Sequence, residues 1–281
     1  MHSPLEIAQN YVEIGIHKVR LSAFKMLVLG FFAGIFIGFA GIASTVGGAV
    51  VENSSLSRLI SACLFPAGMA MVLVAGSELF TGNNLIIIAL LEKKITLPQM
   101  LKNWIFVFGG NFIGAAFVAF MVVYGHTPDL LGGKLADSVV NAAVHRVNLT
   151  FMDSFLRGVL CNILVCIAVW AAFASKTVSG KLLMSFWPVM LFVLCGFEHS
   201  IADIYFCLAG IFAAKEYGIT ADTLTMSSFL LKNLLPVTLG NIVGGAGIVG
   251  VGYWLTYLRH TPGFKASIES EQEEIDIAEE Y

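Results

Sequence analysis

Gly76-Ser77-Glu78-Leu79-Phe80-Thr81-Gly82-Asn83-Asn84 and Gly196-Phe197-Glu198-His199-Ser200-Ile201-Ala202-Asp203 are two short polar runs, each built on Gly-x-Glu and each interrupting a long apolar stretch. Apolar, helix-forming sequence resumes after both. At membrane depth an ionisable group is costly unless it faces a protein interior or a water-filled path, and non-helical backbone is tolerated only where it is buried or lines a cavity. The two interruptions therefore mark a permeation or binding site.

Composition agrees with a bilayer as the solvent: 57% of residues are hydrophobic and 12% charged, and the mean hydropathy is +0.83. This excludes a soluble domain. Seven of the nineteen acidic residues lie between Glu269 and Glu280; the remainder carries sixteen Lys/Arg against twelve Asp/Glu, a net of +4. The acidic end reads as a solvated tail. Cys63, Cys161, Cys166, Cys195 and Cys207 sit in apolar segments without metal-site spacing and read as packing residues. No metal, cofactor or nucleic-acid partner is expected, and the N-terminus carries no cleavable targeting signal.

Residues 3–22 read as an amphipathic helix, with Leu5, Ala8, Val12, Ile16 and Val19 on one stripe, lying on a membrane surface or a neighbouring subunit. Six spans follow at 25–48, 58–91, 104–125, 153–174, 182–214 and 227–258. The second and fifth exceed one straight span of roughly 20 residues and contain the interruptions, so each reads as a broken helix. Three regions result: an N-terminal helix (1–24), a six-span channel domain (25–258) and an acidic tail (259–281). With both termini on one side, that side holds Lys18, Arg20, Lys25, Lys93, Lys94, Lys102, Lys176, Lys181, Arg259 and Lys265. The other holds Arg58, Lys134, Arg146, Lys215 and Lys232. The asymmetry puts both termini in the cytoplasm, so the tail is cytoplasmic too.

The halves also resemble each other. Gly76-x-Glu78 matches Gly196-x-Glu198 at an offset of 120, and Gly110-Asn111-Phe112-Ile113-Gly114 matches Gly240-Asn241-Ile242-Val243-Gly244 at an offset of 130. With three spans per half, the halves must run in opposite directions, giving an all-α membrane protein with an inverted three-plus-three repeat and its site near the midplane. Gly30, Gly34 and Gly38, with Gly110, Gly114, Gly240 and Gly244, recur at helical spacing and suit close helix contacts. Asn111 and Asn241 are expected to hydrogen-bond across those contacts.

His199 is the most informative side chain. An imidazole can attract an anion, donate a hydrogen bond or exchange a proton near neutral pH; the alternative is a buried neutral histidine fastened to backbone, and its place in one of two related breaks favours the pore role. Thr81 offers a hydroxyl in the other break, to the permeating species or as a helix cap. Glu78 and Glu198 would repel an anion if exposed, so they read as structural acceptors for backbone N–H groups freed by the breaks.

Ser77-Glu78-Leu79-Phe80-Thr81-Gly82, Gly196-Phe197-Glu198-His199-Ser200-Ile201-Ala202 and Val237-Thr238-Leu239-Gly240-Asn241 resemble the signature segments of the formate/nitrite transporter family, over nearly the whole chain except the acidic tail. The resemblance implies an aquaporin-like fold in a homopentamer, in a bacterial inner membrane, with one anion pore per protomer. It implies His199 and Thr81 as the central polar pair, Phe65, Met69, Leu79, Val165 and Phe192 as apolar constrictions, and Asn162 nearby. Arg146 stands where relatives often carry a vestibule lysine, and keeps the positive charge. Three departures stand out: Met69 for leucine, Asp203 for asparagine, and Gly82-Asn83-Asn84 after Thr81 in place of small hydroxylated residues.

The leading function is a channel or proton-linked transporter for small monovalent anions such as formate, nitrite or hydrosulfide. A neutral-solute channel of aquaporin type lacks its Asn-Pro-Ala at either break. An intramembrane hydrolase built on His199-Ser200 lacks a separate base, an oxyanion site and a Gly-x-Ser-x-Gly elbow, so no enzyme is expected.

Overall fold

The computed structural model describes residues 1–259 and is helical throughout; the acidic tail expected at 259–281 lies almost wholly outside the described residues. Helix α1 (Pro4–Arg20) is opened by a capping box in which Ser3 accepts from Glu6 N and the Glu6 carboxylate accepts from Ser3 N. Then come α2 (Ala23–Gly48), α3 (Ser54–Ala75), a short apolar α4 (Gly82–Leu91) and α5 (Leu97–Tyr124). The second half comprises α6 (Lys134–Val147), α7 (Phe151–Ala174), α8 (Val178–Leu194), α9 (Ser200–Glu216) and α10 (Met226–Tyr257). Five of these, α2, α3, α5, α7 and α10, are long and apolar enough to cross a membrane.

Chain direction changes where the sequence turns polar. Helix α3 stops at Ala75 because Gly76 takes a left-handed conformation (φ +69°), and Gly196 does the same (φ +70°) after α8. Helical backbone resumes at Gly82 in the first case and at Ser200 in the second. Between them the chain is non-helical and buried: Glu78, Leu79, Glu198 and His199 are all nearly inaccessible.

Small residues set the two tightest helix pairs. A side chain on Gly34 would strike the Asn111 carbonyl and one on Gly114 the Phe31 carbonyl, which locks α2 against α5. In the same way Gly240 and Gly244 of α10 lie against the Phe155 and Val159 carbonyls of α7. Such contact lets backbones meet, at distances where one added methyl forces a shift.

Some expectations change. Helix α5 begins at Leu97, not at 104: Thr96 and Gln99 form a capping box and Pro98 sits in the first turn, so the polar Lys102-Asn103 segment is already helical. The apolar stripe of α1 covers its own protomer instead of membrane surface or a neighbour. Tyr11 stacks on Trp170 at 6.0 Å and meets Phe173 edge-on at 5.3 Å, while Ala8 and Val12 are fully buried. Cys161, Cys166 and Cys207 are buried packing residues, but Cys63 and Cys195 are exposed. Helix α10 carries two π-helical segments, Phe229–Leu234 and Val243–Gly250, which periodicity did not foretell.

Candidate functional site

The two breaks meet at one hydrogen bond, Thr81 Oγ1 to His199 Nε2 at 2.9 Å, between residues 118 apart in the chain. His199 is the N-cap of α9, and its Nδ1 accepts from Ala202 N at 3.1 Å. Because Nδ1 accepts, the neutral ring carries its proton on Nε2 and donates it to Thr81. The Thr81 oxygen is thereby an acceptor, leaving its own proton for a third group. Thr81 makes no cap bond to α4, so its hydroxyl is not spent on the helix that follows. A second proton on His199 has to displace the Ala202 bond, which couples ring charge to the start of α9.

Apolar side chains gather at the histidine, whereas Thr81 is fully buried behind it and lines neither cavity. A small cavity of about 10 Å³, the order of one water, is lined by Phe65, Met69, Leu79, Val165 and Phe192 together with Ile37, Val189 and His199. All five residues expected as constrictions thus converge on the histidine. Phe192 stacks on the His199 ring at 5.8 Å and Phe65 meets Phe192 edge-on at 5.7 Å. Phe65 directly precedes Pro66, which interrupts the ladder of α3. Asn162 lies behind Thr81, donating to the Thr81 carbonyl at 3.3 Å, to Asn84 Oδ1 at 3.2 Å and to the Asn241 carbonyl at 2.7 Å. It braces the site and is absent from the cavity wall.

The backbone freed by the breaks is satisfied by asparagines, which corrects the role expected for Glu78 and Glu198. Asn111 Oδ1 accepts from Phe80 N at 2.9 Å while its amide donates to the Glu78 and Gly30 carbonyls, both at 2.8 Å. Asn241 Oδ1 accepts from Ser200 N at 3.0 Å and donates to the Glu198 carbonyl at 3.1 Å and the Gly158 carbonyl at 2.8 Å. An amide offers donor and acceptor together, which a carboxylate does not. The carboxylates go to cations: Glu78 pairs with Lys18 of α1 at 2.6 Å and accepts from Asn83 at 2.7 Å, and Glu198 approaches Arg146 at 3.5 Å.

On the side away from α1 the site opens into a cavity of about 540 Å³, whose wall includes Ser44, Ser61, Arg58, His145, Arg146, Glu198, His199 and Asp203. Arg146 lines it, as expected of a vestibule residue, but its charge is engaged: Nε lies 3.0 Å from Asp203 and 3.5 Å from Glu198, Nη1 donates to the Ala142 carbonyl, and the guanidinium covers Phe206. Asp203 bonds locally through this pair. Among the described residues no cluster of three or more His, Cys, Asp or Glu is placed to hold a metal ion.

The family described as formate/nitrite transporter matches residues 5–255. The chain belongs to the formate/nitrite transporter family. The formate channel FocA of Haemophilus influenzae is 34% identical over 263 residues, covering 89% of this chain and 92% of that protein. The formate channel BtFdhC of Bacillus thuringiensis is 35% identical, covering 94% and 99%. A solved pentameric formate channel with formate bound superposes with a TM-score of 0.75 at 32% identity, covering 84% of this chain and 98% of that one. A second structure, an ion channel of the same family, gives 0.81 at 28% identity, covering 89% and 98%. The protein is accordingly an integral membrane transport protein and not an enzyme. Asn111 and Asn241 bond across the helix contacts as expected, but three features of this family member escaped the sequence: the hold of those asparagines on the break backbone, the Lys18–Glu78 pair, and Arg58 in the vestibule. The offset match around Asn111 and Asn241 was the available signal for the first; nothing local to Lys18 or Arg58 announced the others.

Proposed function

We propose that this protein is a channel for small monovalent anions, formate foremost, with nitrite and hydrosulfide as further substrates and a proton linkage through His199. The observation that carries this reading is the His199–Thr81 bond set at the edge of a cavity otherwise walled by Phe65, Met69, Leu79, Val165 and Phe192. Apolar rings of that width strip water from anything that crosses. A bare ion between them has lost several kcal/mol of hydration, and only a group that donates hydrogen bonds or a proton offsets this. His199 Nε2–H and the Thr81 hydroxyl are such donors. A formate anion entering between them accepts from one or both; if His199 has first taken up a second proton from the entry side, the imidazolium can pass a proton to the anion, formic acid crosses as a neutral species, and the neutral imidazole left behind is protonated again from the entry side. Cations find no acceptor of matching charge in the ring.

The same reading takes the chain as six spans in an aquaporin-like, inverted three-plus-three arrangement, with α3–α4 and α8–α9 as the broken second and fifth spans. Its support is the parallel chemistry of the halves: Gly76 and Gly196 both left-handed, Asn111 and Asn241 making equivalent bonds, and Pro66 and Pro188 each preceding a break in its helix. A homopentamer with both termini cytoplasmic completes it, the formate-bound pentameric neighbour and the distribution of basic residues being the grounds. The test is uptake of labelled formate, nitrite and hydrosulfide by proteoliposomes with and without a proton gradient. Saturable formate flux, accelerated by an inward proton gradient, is expected; liposomes no more permeable to formate than protein-free controls overturn the reading.

A further inference from the structure

We propose that Arg58 captures the permeating anion at the mouth of the pore, a task that Arg146 is not free to perform; this rests on the anion-channel reading above. Arg146 faces two carboxylates, Asp203 at 3.0 Å and Glu198 at 3.5 Å, so that cluster offers an approaching anion no net attraction. Arg58 lines the same cavity, is exposed, and among the described residues has no carboxylate within ion-pair distance. His145 on that wall is held below the usual histidine range, chiefly by partial burial and further by neighbouring arginines, and adds no charge at neutral pH. With Arg58 the four charged side chains of the lining balance; without it the mouth is negative and repels anions.

Position supports the same role. Arg58 Nη1 donates to the carbonyl of Leu194, the last residue of α8, at 3.4 Å, and a side-chain carbon on Gly196 would come within 2.7 Å of that nitrogen. The left-handed glycine of the second break thus lets the guanidinium rest over the break, three residues before His199. One N–H is committed to Leu194, and the remaining donors form a planar fork that suits an anion with two oxygens, such as a carboxylate or nitrite, better than a single-atom acceptor such as hydrosulfide.

Initial flux of formate into proteoliposomes, measured against concentration at about 0.01 M and about 0.15 M ionic strength, tests this; the screening length falls from about 30 Å to about 8 Å between them. Arg58→Gln is expected to raise the half-saturating formate concentration roughly tenfold at low ionic strength, with the maximal flux kept and the gap narrowing as salt rises. Arg58→Lys is expected to restore hydrosulfide entry fully and formate entry in part. An Arg58→Gln channel with unaltered saturation at both ionic strengths overturns the proposal. So does an equal loss of maximal flux at every concentration and salt, which marks Arg58 as a mere brace for the Leu194 carbonyl. Wild-type protein without formate flux instead refutes the anion-channel reading itself, so the two failures are distinct.

Discussion

His199 serves two masters, the N-terminus of α9 through Nδ1 and Thr81 through Nε2. Substitutions separate the two. His199→Phe removes both bonds and the exchangeable proton, so formate flux is expected to fall by at least about tenfold, as does any reaction deprived of a positioned proton donor, and its pH dependence to vanish. His199→Asn keeps a good helix cap and a donor to Thr81 but exchanges no proton; it should retain anion flux while losing acceleration by acid. Wild-type rates and pH profile in His199→Phe would remove this histidine from the mechanism. Thr81→Val keeps the shape and deletes the hydroxyl, which in the wild type is not spent on capping α4. It should lower flux or selectivity with no change in the elution volume of the purified protein, and a collapse of the assembly instead would make Thr81 a structural residue.

Buried non-helical backbone survives only because other elements pair it, and here α5 and α10 do so with one asparagine each. Asn111→Ala orphans the buried Phe80 N–H and Glu78 carbonyl together, at roughly 1–3 kcal/mol for each group. The expected outcome is a lower thermal unfolding midpoint in detergent and reduced yield, and Asn241→Ala should match it if the two clamps are equivalent. Helix α1 has its own fastening: Lys18 bonds Glu78 at 2.6 Å and Asn83 at 2.9 Å, and its carbonyl accepts from Asn103. Lys18→Met strands a carboxylate that is only 6% exposed, a lesion of about 3–5 kcal/mol. Adding Glu78→Gln removes the stranded charge, so the double variant should regain part of the lost midpoint; a double variant less stable than Lys18→Met alone would deny the pairing any energetic role.

At the scale of the molecule, the outer surface is apolar on many sides: Phe32, Phe39, Ile105, Ile113, Phe117, Trp187 and Leu191 are among the exposed large side chains. Such an area is compatible with lipid and with neighbouring protomers alike. Native mass spectrometry in mild detergent should give a mass of five chains, about five times 30.3 kDa, and a monomer with full transport activity would contradict the pentamer. The apolar cavity at His199, by contrast, is lined within one protomer by α2, α3, α7, α8 and the two breaks. Variants that weaken subunit contacts should therefore reduce stability before they alter anion selectivity.

Hydropathy and period alone determined that this chain lives in a bilayer, that its second and fifth apolar stretches are too long for straight helices, and that polar chemistry is concentrated at Gly76–Asn84 and Gly196–Asp203, because the cost of burying charge and unpaired backbone in hydrocarbon leaves few alternatives. The signature segments carried the resemblance that implies a shared pore for His199, Thr81 and the five apolar residues. Partner choice was settled by the tertiary structure. Glu78, Glu198 and Asn111 are each legible as buried polar residues, but which backbone or cation each meets depends on chain segments 30 or more positions away, as with Asn111 and Phe80 or Lys18 and Glu78. The same holds for the vestibule: sequence supplies Arg58 and Arg146 as two equal positive charges, and only their packing against Leu194 in one case and two carboxylates in the other makes one available to an anion and the other not.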